Sequence, residues 1–155
     1  MTNRVLYFTS WVMMMLHYAA VGLFFRSSPV LLQWLYLCGP WTSAWNHGTT
    51  SFVAKWADRS LMAVGCVLDI YFVCSLLISF IPPLPAIFVL ANIAMALLAY
   101  ACAKRTASAP IPDKARQNAF HSMAHAFITA ANLSLLYFIH MLLSLPSFEK
   151  EVLSS

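Results

Sequence analysis

The sequence predicts an all-α membrane protein, a bundle of about five transmembrane helices. Hydrophobic residues make up 61% of the chain of 155 residues and charged residues only 9%, whereas a soluble domain carries about 25% charged residues. A small soluble domain also leaves much of its surface in water, where so much apolar area has no place. Five apolar segments, each close to the roughly 20 residues that cross a bilayer as a helix, complete the argument.

The five predicted helices follow one another with short loops and form a single transmembrane domain. The first segment is too long for the hydrophobic region of a signal peptide and lacks a small-residue cleavage site, so we expect it to stay in place. The third ends at a turn that holds Pro82, Pro83 and Pro85, because proline cannot continue a helix interior. The fifth follows the longest polar loop. The predicted spans are 5–25, 29–47, 58–80, 84–103 and 118–143.

Basic residues in the loops predict the orientation of the bundle. With five spans, seven basic residues lie on the side of the N-terminus and two on the other side. Basic loops favour the cytoplasmic side, so we expect the N-terminus there. The net charge of +4 comes from these loop residues and does not indicate nucleic-acid binding. The seven are Arg4, Lys55, Arg59, Lys104, Arg105, Lys114 and Arg116, and the two are Arg26 and Lys150.

Five chemically active residues fall at the ends of three predicted helices. Ser43 and His47 end the second, Asp58 begins the third, and His121 and His125 open the fifth. The predicted topology places all three ends on one side of the membrane, so we expect these side chains to meet near the inner face. Each pair is spaced by four residues, which places both members on one helix face.

The residue types in this group point to metal-assisted hydrolysis. Three histidines with an open fourth position are typical of a catalytic zinc site, and imidazole ligands favour zinc over magnesium or calcium. Zinc activates water near neutral pH, Asp58 would orient that water or shuttle its proton, and Ser43 would donate to a developing oxyanion. The same residues equally allow another reading, in which they only form hydrogen bonds between helices.

The order and spacing of these residues resemble the CREST superfamily of membrane hydrolases. That group includes alkaline ceramidases, GPI-remodelling phospholipases, adiponectin receptors and haemolysin III proteins. The matching positions are the run from Ser43 to His47, Asp58 eleven residues later, and the pair His121 and His125. The resemblance implies that the three histidines bind zinc, that Ser43 and Asp58 flank the catalytic water, and that a lipid amide or ester is hydrolysed.

The chain also departs from that family, which usually has seven spans where this sequence offers five. Only one span lies between the helix of Asp58 and the helix of His121 and His125. The chain therefore either binds metal without turning over a substrate, or completes the lipid cavity of the family by association with a second copy or a larger membrane complex. A structural subunit of such a complex is accordingly the second hypothesis.

Further polar residues lie inside the predicted spans. Asp69 follows Asp58 by eleven residues, so it lies on nearly the same helix face and about 16 Å deeper in the membrane. It is either a functional carboxylate or a contact in helix packing. Asn132, like Asn92, is predicted to form hydrogen bonds between helices. His17 and His140 lead to a third hypothesis, a haem-binding electron-transfer subunit, because histidines of bundle helices are able to ligate haem. These last roles stay open from the sequence alone.

Overall fold

The computed structural model describes residues 3–26, 28–77 and 83–144. Within these ranges the chain forms five α-helices and no strand, which confirms the predicted all-α fold. A π-helical segment, Val73–Leu77, continues directly from the third helix. The helices are α1 Arg4–Leu23, α2 Val30–Gly48, α3 Phe52–Phe72, α4 Pro83–Ala107 and α5 Lys114–Leu143.

Capping side chains explain where three of the helices begin. Asn3, Ser51 and Asp113 each accept a hydrogen bond from a backbone amide in the first turn of α1, α3 and α5, which satisfies an otherwise unpaired donor. Because Ser51 caps α3, this helix begins six residues before the predicted start, and Asp58 lies in its second turn. The predicted end of this span at residue 80, and Lys150, lie outside the described residues.

Three helices are long and apolar enough to cross a membrane. They are α1, the part of α4 from Leu84 to Ala107, and α5, with 20, 24 and 30 residues. The two others, α2 and α3, have 19 and 21 residues but are not among these three, and α3 carries the four charged residues Lys55, Asp58, Arg59 and Asp69. The chain thus has the length and composition of a membrane protein, while the five-span topology stays a prediction.

The helices pack as an open arc. Along the arc, α4 packs on α5, α5 on α1, α1 on α2, and α2 on α3. Within the described ranges, α3 and α4 have no extensive contact with each other, and the π-helical segment packs on both. The arc is therefore joined at the end that holds this segment. We call the gap between the remaining lengths of α3 and α4 the seam.

The apolar core lies at the joined end of the arc, which we call the core end. Leu32 and Tyr36 of α2 pack there with Leu135 and Leu136 of α5, and all four are buried almost completely. In a bilayer, such packing stabilises helix association through van der Waals contacts. The core end fixes the helices relative to one another, so the opposite end can hold polar side chains and a cavity.

The opposite end, which we call the site end, brings together the start of α1, the end of α2 and the start of α5. The Asn3 amide nitrogen donates to the His47 carbonyl at 3.3 Å, and its side chain donates to Asn118 Oδ1 at 2.6 Å. Gly48 allows α2 to approach α1 closely, because a Cβ there would lie 2.9 Å from the Tyr7 ring. The convergence of α2 and α5 expected from the sequence is therefore present.

Candidate metal centre

The three predicted histidine ligands come together at the site end. His47 of α2 and His121 and His125 of α5 each offer a ring nitrogen, and these atoms lie within 4.8 Å of one another. The ring centroids are 5.0 Å apart for His47 and His121, 5.0 Å for His121 and His125, and 5.6 Å for His47 and His125. Helical spacing explains the pair on α5, whereas helix packing brings in His47.

Hydrogen bonds determine which nitrogen of His125 faces this centre. The Thr9 hydroxyl lies 3.1 Å from His125 Nδ1 and 3.1 Å from the Leu6 carbonyl oxygen. A carbonyl only accepts, so Thr9 donates its proton to Leu6 and its oxygen accepts from the Nδ1–H of His125. Nε2 therefore keeps its lone pair for the centre. A partner on the second ring nitrogen is the usual support of a metal-binding histidine.

His47 carries the clearest sign of a ligand site. Its Nε2 is buried and has no hydrogen-bond partner among the described residues, although buried polar groups are nearly always paired. Such an atom costs about 1–3 kcal/mol. The other two atoms of this kind are hydroxyl oxygens of Ser122 and Thr129. A cation shared with His121 and His125 would satisfy the His47 nitrogen.

Ser43 also turns a lone pair toward the centre. Its Oγ lies 3.5 Å from His125 Nε2 and 3.2 Å from Ser10 Oγ. Ser10 donates its own proton to the Leu6 carbonyl at 2.8 Å, so the single Ser43 proton goes either to Ser10 or to the nearby Asp58 carboxylate. In both cases Ser43 and His125 face each other with lone pairs, which suits a cation or a donating water between them. Donation to an oxyanion requires the Ser43 hydroxyl to rotate away from that partner.

Asp58 reaches the same cavity from α3. Its side chain is half-buried and lines the cavity together with the three histidines. Asn46 holds it in place, because Asn46 Nδ2 donates to Asp58 Oδ2 at 2.7 Å. Ser43 also lies close enough to the carboxylate to interact with it. The structure therefore brings together all five residues predicted from the sequence, without deciding what they do.

Three residues of the site were missed by sequence reasoning. Thr9 and Ser10 contact His125 and Ser43, and Asn46 contacts Asp58. The available signal was weak: two adjacent hydroxyl residues inside an apolar segment, and an amide directly before His47. Their roles depend on partners in other helices, which spacing along one helix does not reveal.

A cavity of about 330 Å³ extends from the metal centre toward the middle of the bundle, within the size range of small-molecule sites. Side chains of all five helices line it. Met62 of α3 and Leu97 of α4 line the cavity and are also 38% and 49% exposed. The cavity therefore opens sideways through the seam.

A second polar cluster lies deeper in the cavity. The Tyr36 hydroxyl donates to Asp69 Oδ1 at 2.5 Å. With the Asn132 amide placed so that both of its atoms have partners, Nδ2 donates to Asp69 Oδ2 at 2.9 Å and the oxygen accepts from His17 Nε2 at 3.0 Å. His17 Nδ1 donates to the Met13 carbonyl at 2.7 Å. We call His17, Tyr36, Asp69 and Asn132 the deep cluster.

The deep cluster accounts for residues whose roles the sequence left open. Asp69 is a contact that joins α3 to α2 and α5, and Asn132 forms the predicted bonds between helices. Asn92 instead donates within its own helix, to the Phe88 carbonyl at 2.9 Å, so that prediction was wrong. Both nitrogens of His17 are in hydrogen bonds, which leaves neither for a haem iron.

Comparisons with known proteins return no match. No protein family, curated protein or solved structure matches the chain.

Proposed function

We propose that the chain is a zinc-dependent intramembrane hydrolase that acts on an amide or ester of a membrane lipid. The observation that carries this proposal is the set of three histidine nitrogens within 4.8 Å, of which His47 Nε2 is buried and unpartnered. Three histidine ligands with an open position are typical of catalytic zinc. The similarity of Ser43, Asp58 and the histidines to the CREST pattern supports the same reaction.

The proposal includes a topology in which all five helices cross the membrane and the N-terminus is cytoplasmic. The bias of basic residues supports that orientation, which places the site end near the inner membrane surface. Water and the polar parts of lipids are both present at that depth. The polar side chains of α2 and α3 line the cavity, which accounts for the lower hydropathy of these two helices.

Asp58 and Ser43 carry the proton and charge movements of the proposed reaction. Zinc, when bound, supplies Lewis-acid activation of water and of the substrate carbonyl. Asp58, positioned by Asn46, accepts a proton from the attacking water. The water oxygen bonds to the carbonyl carbon, the bond to the leaving nitrogen or oxygen breaks, and Asp58 returns the proton to that leaving group. Ser43 rotates to donate to the developing oxyanion.

Elemental analysis of the detergent-purified protein tests the proposal. We expect one zinc per chain in the wild type and almost none in the double variant His121→Ala/His125→Ala. His140→Ala, at the other end of α5, is the matched control and should keep its zinc. A folded wild-type protein without bound metal would overturn the proposal. With zinc established, hydrolysis of ceramides and phospholipids that disappears in Asp58→Asn would support the assigned reaction.

A structural subunit of a larger membrane complex is the second candidate. The open seam favours it, because helices of a partner would close the arc between α3 and α4. This candidate predicts a partner that co-purifies in fixed ratio. It also predicts that His121→Ala leaves the metal content of the preparation unchanged.

A further inference from the structure

We propose that the seam admits a lipid sideways from the inner leaflet, and that Lys55, Arg59 and Lys104 hold the phosphate of its headgroup beside the metal centre. The substrate class would thus be a phospholipid with an anionic headgroup. This inference rests on the proposed function and names the substrate of the same site. Three features of the molecule support it: the opening at the seam, the charges around this opening and the shape of the cavity behind it.

The opening lies where a lipid has direct access. Among the described residues, α3 and α4 have no extensive contact away from the π-helical segment. Met62 and Leu97 stand on opposite sides of the seam, and both line the cavity while a large part of each stays exposed. In the proposed topology this side faces the hydrocarbon of the inner leaflet. A lipid would reach the metal centre without leaving the membrane.

The charges around the opening are mostly positive. Lys55 and Arg59 of α3 and Lys104 of α4 line the cavity. Asp58 lines it beside them and already accepts from Asn46, whereas Asp113, which caps α5 at the same end, does not line it. Lysine and arginine are the usual partners of phosphate oxygens. The cations stand on both sides of the seam, so a phosphate entering there would meet both.

Aromatic rings hold two of these cations at the opening. The Arg59 guanidinium lies 5.8 Å from the Trp56 ring centroid, and Lys104 Nζ lies 5.1 Å from that of Tyr100, both within the range of cation–π attraction. The Tyr100 ring in turn packs edge-on against His121, with centroids 5.5 Å apart. A phosphate on Lys104 would therefore lie next to a proposed zinc ligand, with the acyl ester close by.

The position of these three cations is not explained by membrane orientation alone. Basic residues are expected on the cytoplasmic side in general, but the others on that side do not line this cavity. Arg105 follows Lys104 directly and is exposed like it, but it does not line the cavity. On the N-terminal side, the cations outside the cavity are Arg4, Arg105, Lys114 and Arg116.

The rest of the cavity suits an acyl chain. Beyond the metal centre it is lined by apolar side chains that include Leu35, Leu61 and Ile128. At its floor, the deep cluster forms its hydrogen bonds internally, so a ligand needs no polar group at that depth. A charged end and an apolar interior fit the headgroup of a phospholipid and one of its two acyl chains.

Binding measurements on the purified full-length chain in neutral detergent test the inference. The probes are a fluorescently labelled phosphatidic acid and the diacylglycerol with the same label, followed by fluorescence anisotropy. We expect phosphatidic acid to bind at least tenfold more tightly. The cavity variant carries Lys55→Gln, Arg59→Gln and Lys104→Gln. The control variant carries Arg105→Gln, Lys114→Gln and Arg116→Gln.

The cavity variant should bind the two probes equally, while the control variant keeps the preference. Inorganic phosphate at a thousandfold excess should not displace the lipid, because it has no acyl chain. Entry through the seam has its own test. Leu97→Trp should slow binding at least fivefold, whereas Leu98→Trp, on an exposed neighbour that does not line the cavity, should not.

Several outcomes would overturn the inference. Equal affinity of the wild type for both probes would remove the headgroup site, and equal losses in the two charge variants would reduce it to general surface attraction. Displacement by inorganic phosphate would assign the site to a soluble anion. A dimer that Leu97→Trp disrupts, without lipid preference, would assign the seam to a second copy. The His121→Ala/His125→Ala variant should keep the lipid preference, so a failure of the zinc proposal stays distinguishable.

Discussion

The metal centre and the deep cluster lie on the same helices, yet they differ in how their hydrogen bonds are completed. The two regions are separated by seven residues, or about 10 Å, along each helix. This is the spacing from His125 to Asn132 on α5 and from Ser43 to Tyr36 on α2. The deep cluster gives each of its ring nitrogens and carboxylate oxygens a partner. In the metal centre, His47 Nε2 is buried without one among the described residues. A buried ring nitrogen without a partner, more than polarity itself, distinguishes the candidate metal centre from the deep cluster.

The deep cluster also balances its charge internally. When the Asn132 oxygen faces His17, both ring nitrogens of His17 donate. In that orientation the ring carries two N–H groups and is an imidazolium opposite the Asp69 carboxylate. In the other amide orientation, Asn132 donates to His17 at 3.0 Å, and a proton on Asp69 completes the network. Both arrangements are neutral overall. The cluster therefore holds helices together and offers little to a ligand.

The largest expected effect comes from removing the unpartnered histidine. His47→Ala should abolish zinc binding and lower hydrolysis at least a thousandfold, because a ligand of the activating ion is lost. The metal-free variant should unfold within about 1 kcal/mol of the metal-free wild type, because the nitrogen that is removed had no partner. Metal analysis and thermal unfolding with and without a chelator measure both. A large loss of metal-free stability would place His47 with the deep cluster.

The converse experiment removes a member of the deep cluster. His17→Ala should lower the free energy of unfolding by about 1–3 kcal/mol, the usual cost of leaving the buried Asn132 amide without one of its partners. The folded fraction should still bind one zinc. Reversible unfolding in mixed micelles, beside metal analysis, provides the measurement. Full stability together with lost activity would contradict the division between the two regions.

A smaller effect is expected from the partner that fixes the His125 ring. Thr9→Val keeps the shape of the side chain but removes the oxygen that accepts from His125 Nδ1. Loss of such a supporting partner costs about 10–100-fold in metal affinity, which competition with a zinc chelator measures. Thr42→Val is the matched control, since its hydroxyl bonds only to the Gly39 carbonyl of its own helix.

The smallest of these effects concerns the position of Asp58. Asn46→Leu removes the 2.7 Å hydrogen bond to the carboxylate, so we expect kcat to fall about tenfold with zinc content unchanged. Asn92→Leu, which loses a bond only to its own helix, should keep full activity. A loss of zinc in Asn46→Leu would mean that this residue supports the histidines instead.

The sequence predicted those features that depend on one helix at a time. Apolar segments indicated the helices, and spacing by four placed His121 beside His125. The start of α3 was placed at Asp58 because Lys55 indicated a polar loop before it, while the Ser51 cap extends the helix to include Lys55 ahead of Asp58 and Arg59. Such residues face the cavity, which a hydropathy pattern does not show.

Apart from the meeting of the three helix ends, which the predicted topology anticipated, features that depend on packing between helices could not be predicted from the sequence. Thr9 and Ser10 acquire their roles only because α1 lies against both α2 and α5. The seam likewise follows from the order of helices around the arc and from the π-helical segment that joins α3 to α4. No spacing within one segment encodes either arrangement.

The Leu6 carbonyl has a consequence for how this site tolerates mutation. This single backbone oxygen accepts from both Thr9 and Ser10, which leaves their hydroxyl oxygens as acceptors toward His125 and Ser43. A main-chain atom is unchanged by any substitution at its own position. Substitutions at residue 6 would therefore change side-chain packing, while the hydroxyl groups of Thr9 and Ser10 would keep their orientation.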